Sequence, residues 1–158
     1  MLINIIFTKP KNYFFISELV AFVQKTDFSH VCISFDNKLF QANNDTGVTV
    51  TDLEEFLKEN NILHSFTISV SAAEFYKYMN QVTGRPYSSY QAFIVGVFIT
   101  IKRAGLKLRI PKVNGKEAFI CSEIIGDVLI MADMMKKKSL DTFSPVEAFA
   151  ILKRYKTV

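Results

Sequence analysis

The chain carries two cysteines and two histidines, and one pairing among them could do covalent chemistry. Cys121 lies where the extended connection LKLRIPKVNGK turns into the helical run EAFICSEIIGDVLIMADMM. At a helix N-terminus, unpaired N–H groups and the positive end of the dipole favour an anion, which pushes a thiol toward thiolate. The same N–H groups can donate to the oxyanion formed when a thiolate attacks a carbonyl. A thiolate also needs a base or a cationic partner. His30 supplies one from within DFSHVCISFDNKLFQAN, where the apolar alternation would accept a valine or threonine. Its strand position is rigid, which suits a group that must hold geometry. An imidazole in this role needs its second nitrogen oriented by an acceptor. Gln41, across the Asp36–Asn37 turn, can present its side-chain oxygen if the two residues share a face.

Each of these residues also has an ordinary use. A single cysteine on a helix is most often a small buried hydrophobe, and a histidine in a half-buried strand is often hydrogen-bonded packing. Cys32 shares a face with His30 and is the rival nucleophile, but mid-strand it lacks a helix terminus. A zinc site from Cys32, Cys121, His30 and His64 is discounted, because no pair has ligand-like spacing. No metal or other cofactor is expected. His64 belongs to a strand or its edge.

The elements that must position these groups read as follows. LINIIF (2–7) is a strand. Phe14, Phe15, Leu19, Phe22 and Val23 recur at helical spacing, giving a first helix. In residues 28–35, Val31, Ile33 and Phe35 face one way and Phe28, His30, Cys32 and Ser34 the other. Asp36–Asn37 is a tight turn, and KLFQAN returns as the hairpin partner. A loop (43–47) and a short extended VTV follow. Thr51 is placed to cap the helix TDLEEFLKEN, with Glu54 three residues on. LHSFTISVS is a strand. Ser71 and Glu74 open a helix that Gly84 ends. YQAFIVGVFITIKRAG is a second, largely buried helix, with strand possible from its β-branched content. The cysteine-bearing run is a helix with an apolar stripe through Ile120, Ile124, Val128 and Leu129. A last short helix has Ser144 as its cap and Pro145 at its first position.

At 158 residues the chain reads as one domain, 1–158, able to bury a core without staples. A hydrophobic content of 49%, with fifteen Phe, excludes global disorder. The net charge of +4 is too mild for a nucleic-acid-binding face. Two cysteines make no disulfide framework. The N-terminus lacks the positive region and cleavage site of a signal peptide. The apolar run at 92–101 is about half the length of a membrane-spanning helix. A cytoplasmic protein of bacterial or phage origin fits, with no transmembrane segment. Residues 102–116 hold six basic side chains and no acid. They read either as a solvated surface loop or as an attractor of an anionic substrate or membrane surface. The lysines of MMKKKS have the same two readings.

FSHVCISFDNKLFQANNDTGVTVTDLEEFL, then TGRPYSS, FICSEII and FSPVEAF, resemble the circularly permuted branch of the NlpC/P60 papain-like superfamily. That branch includes YiiX-like proteins and, more remotely, lecithin retinol acyltransferase-like enzymes. The pieces run from about residue 28 to residue 147, with the histidine ahead of the cysteine. The resemblance implies an α+β fold, a small antiparallel sheet packed against helices. It implies Cys121 as nucleophile, His30 as base, Gln41 as the orienting residue and Tyr87 lining the site. The orienting position is commonly Glu in this branch. A neutral amide can fix the imidazole tautomer but gives imidazolium no full countercharge. The implied activity is that of a cysteine amidase or peptidase acting through an acyl-enzyme on a peptide, amide or acyl substrate. A lipid acyltransferase or thioesterase is the alternative, favoured if the phenylalanines line a groove. A non-catalytic binding protein on the same scaffold, such as a phage-encoded inhibitor of a host factor, is the third. A virion-borne protein is a further location to consider, since a cell-wall hydrolase without a signal needs a carrier.

Overall fold

The computed structural model describes residues 1–12, 25–88, 119–136, 140 and 143–155. These form an α+β fold with five strands and four helices among the described residues: β1 (Leu2–Pro10), β2 (His30–Phe35), β3 (Lys38–Asn43), β4 (Gly47–Asp52), α1 (Leu53–Glu59), β5 (Asn60–Ser69), α2 (Ala72–Val82), α3 (Cys121–Met131) and α4 (Pro145–Tyr155). The expected helix at 14–23, the run 90–105 and the basic segment 102–116 lie outside the described residues. Among the described residues no helix is long and apolar enough to cross a membrane.

The strands form one antiparallel sheet in the order β4-β3-β2-β1-β5. Asp36 and Asn37 both have positive φ, 44° and 59°, as a two-residue hairpin turn matched to strand twist requires. One sheet face carries Ile5, Phe7, Val31, Ile33, Phe40 and Val48 into a core shared with Phe75 of α2, Ile124 and Val128 of α3, and Leu152 of α4. Phenylalanines dominate it: Phe149 meets Phe7 and Phe28 with ring centroids 5.3 Å away in each case. Burying a side chain of this size stabilises by roughly 1.5–3 kcal/mol. On the other face, Ile6, Cys32 and Leu39 are covered by Leu53 and Phe56 of α1.

Three local expectations need correction. Phe28 joins the helix-covered core and not the His30 face. Ser29 N–H donates to Thr8 O, one position out of the β1–β2 register, so the alternation starts only at His30. The α1 cap is Asp52, whose Oδ1 accepts from Glu54 N and Glu55 N at 2.8 and 3.1 Å. Thr51 stays in β4, paired with Leu39. Ile120 is extended, φ −107° and ψ 159°, and α3 begins one residue later. The bridge Tyr87↔Phe119 holds this stretch extended. Caps at Ser71 for α2 and Ser144 for α4 follow expectation, the latter with Glu147 Oε2 accepting from Ser144 N at 3.0 Å.

β4 is tied to the turn after α2. Val48 N–H donates to Arg85 O and Gly84 N–H to Val48 O, at 2.9 and 2.8 Å. Gly47 has φ 72°, and a Cβ there would collide with the Arg85 carbonyl oxygen. Gly47→Ala should therefore cost about 1–3 kcal/mol, read as a lowered midpoint in thermal or urea unfolding. A variant melting with the parent would remove this contact from the account of how residues 85–87 are placed.

Candidate active site

The β2–β3 ladder runs from Phe35↔Lys38 to Ile33↔Phe40 and stops. Beyond it a side-chain bond joins the strands: His30 Nε2 and Gln41 Oε1 are 2.9 Å apart. An amide oxygen only accepts, so Nε2 carries the proton and Nδ1 keeps its lone pair. The sequence pairing of His30 with Gln41 is thus present in the fold. Both residues lie on the α1 side of the sheet, with Cys32.

Cys121 is the first residue of α3, as expected. Glu123 Oε2 accepts from Ile120 N at 3.1 Å, and Ser122 Oγ donates to Phe143 O at 2.6 Å. Ser122 is fully buried, so this bond fixes the helix start against the segment leading into α4. Further along α3, a Cβ on Gly126 would come within 2.7 Å of Leu140 Cδ2, which shows how closely the two pack. Tyr78 Oη donates to Asp127 Oδ2 at 2.8 Å and links α2 to α3.

The backbone N–H groups of Val31, Ser122 and Cys121 itself favour the Cys121 thiolate. The Phe35↔Lys38 pair flanks the two-residue turn, so alternate residues Phe35, Ile33 and Val31 aim their N–H groups toward β3. Val31 N–H therefore faces the ladder position that β3 leaves open. Cys121 packs against the core on the α3 side of the sheet, with its thiol close to the N–H of Val31, the residue next to His30. No hydrogen bond joins Cys121 Sγ to a His30 ring nitrogen among the described residues.

The electrostatics reverse one expectation. Burial pushes the Cys121 thiol up to about 11, outweighing the N–H groups that pull it down. Burial also lowers the His30 pKa, with the Gln41 bond opposing. The resting pair is a neutral thiol and a neutral imidazole, although both residues keep some solvent exposure. The N–H groups at the helix start do favour the thiolate, but the loss of water around the sulfur outweighs them.

Tyr87 is near the cysteine: burial first and Cys121 second push its phenol up. It is held by Phe119 N donating to Pro86 O and Ser88 N to Phe119 O, at 2.9 and 3.0 Å. Cys32 is fully buried, burial raises its pKa well above the usual range, and it lies under α1. His64 is on the opposite face from His30, against Phe149 and in contact with Asp27 at 3.1 Å.

Sequence reading passed over Ser122, Glu123 and the Val31 N–H. Glu123 Oε2 accepts from Ile120 N, but Ile120 has no side-chain acceptor to complete a capping box and so to mark the helix start in the sequence. The other two depend on long-range packing that leaves no local pattern. The chain matches no protein-family model and no curated protein sequence.

Proposed function

We propose that this chain is a cysteine hydrolase of the amidase or peptidase type, built on a circularly permuted papain-like (NlpC/P60) fold. The observation that carries the reading is the 2.9 Å His30–Gln41 bond, which leaves Nδ1 as a base beside the strand position that Cys121 approaches. His30 Nδ1 takes the Cys121 proton as the sulfur attacks a carbonyl carbon. N–H groups at the start of α3 hold the oxyanion. The tetrahedral species collapses to an acyl-enzyme while His30 returns the proton to the leaving amine. Water, deprotonated by His30, then attacks the acyl carbon; the C–S bond breaks, the acid departs, and His30 returns the proton to the Cys121 sulfur. Because the resting pair is neutral, proton transfer accompanies attack instead of preceding it. Tyr87 lines the site near the sulfur. An anionic ligand at 102–116 and a cytoplasmic or virion location belong to the same proposal.

Incubation with a panel of peptide amides and long-chain acyl thioesters, followed by intact-protein mass spectrometry, tests this. A peptide-derived adduct on Cys121 that water discharges is the expected result. A long-chain adduct passed on to an alcohol or amine would transfer the assignment to an acyltransferase. A second reading, a non-catalytic binding protein, is favoured by the high Cys121 pKa. It predicts no adduct from either class.

A further inference from the structure

Among the described residues, three buried side-chain oxygens have no hydrogen-bond partner: Thr8 Oγ1, Ser29 Oγ and Thr49 Oγ1. The register gathers them around one pair. Thr8 is directly opposite His30, Ser29 precedes it, and Thr49 is directly opposite Gln41. Opposed residues of an antiparallel pair share a face and stand within side-chain reach. A band thus crosses four strands on one face, Thr8–His30–Gln41–Thr49, with Cys32 between the two middle members.

Leaving a buried hydroxyl unpaired is costly, and an isosteric valine would avoid the cost. Thr49 has a specific use for its lone pairs. Gln41 is 6% exposed, so solvent has little access to its amide. His30 donates from Nε2 both at rest and as imidazolium, so Gln41 Oε1 stays an acceptor and the Gln41 NH2 is left to find another partner. The hydroxyl opposite Gln41 can accept from that NH2 after a χ1 change. A hydrogen-bonded chain polarises each of its members, so a bond to the NH2 makes Oε1 a better acceptor. A neutral amide supported in this way supplies part of what a carboxylate would supply by charge.

We propose that Thr49 is a positioning residue for the Cys121 reaction, accepting from the Gln41 amide and strengthening its hold on His30 as the imidazole takes up the proton. The inference rests on His30 serving as the base for Cys121. The test measures Cys121 alkylation by iodoacetamide, together with the His30 ring titration by NMR, in the full chain. Thr49→Val should slow alkylation by about three- to tenfold, the size of one hydrogen bond, and lower the His30 titration midpoint. Thr49→Ser should restore both. If Thr49→Val melts higher than the parent with rate and midpoint unchanged, the hydroxyl is only a buried cost and the inference is overturned. His30→Ala separates the two levels. If it slows alkylation while Thr49→Val does not, the inference alone fails; if it has no effect, the hydrolase reading fails with it.

Discussion

Replacing His30 with alanine should slow acylation and alkylation of Cys121 by about 10²–10⁴-fold, the usual worth of a positioned general base. With its thiol pushed up to about 11, Cys121 is ionised in roughly one molecule in ten thousand at pH 7. Almost all reactivity at neutral pH must then come through a base. The pH dependence carries the sign. Burial holds the His30 pKa below its ordinary 6.5, so in the parent it remains an unprotonated base into mild acid, and the rate declines only below that lowered value. In His30→Ala the rate should instead climb tenfold per pH unit up to about 11, following thiolate alone. Coincident profiles for parent and variant would sink the assignment. Stability follows the same linkage. Below about 6.5 the unfolded chain binds a proton that folded His30 resists, so the parent loses stability as pH falls through that window. His30→Ala should lose less of it.

Gln41→Glu is expected to act in the other direction. A carboxylate at hydrogen-bond distance from Nε2 favours imidazolium, and such pairing moves a pKa by about 1–3 units. His30 rises, and under the proposed mechanism its imidazolium lowers Cys121. The pair then becomes zwitterionic over part of the neutral range, and alkylation at pH 6 should accelerate by about ten- to a thousandfold. The change keeps the shape of the side chain, so a gain in rate is not a repacking effect. The new carboxylate would be buried beside Thr49, and some loss of thermal stability should accompany the gain. Timed iodoacetamide labelling at pH 6, quantified by mass, decides the matter. A rate equal to the parent's would mean that protonation of His30 is not coupled to Cys121.

What could be read before folding was what a few adjacent residues decide among themselves. Asp-Asn at 36–37 favours a two-residue turn, and that turn sets the register that pairs β2 with β3 and leaves Gln41 within reach of His30. Ser71 with Glu74 and Ser144 with Glu147 open helices by satisfying their own first N–H groups.

The misreadings came where a distant partner outbids the local preference. Thr51 and Asp52 can both cap α1; the ladder with Leu39 keeps Thr51 in the sheet and leaves the role to Asp52. Ile120 fits a helical stripe, yet the bridge between Tyr87 and Phe119 holds the chain extended up to it. The interior place of β1, between β2 and β5, joins residues far apart in the chain and has no counterpart in any short window. The charge state of the candidate pair is the clearest case. Neighbouring N–H groups stabilise a thiolate at Cys121, but the amount of water left around the sulfur depends on the whole fold. Sequence alone determined which groups could react and roughly where each would sit along its element. Only the tertiary structure decided that they rest uncharged, because desolvation is a property of everything packed around a group and not of its neighbours in the chain.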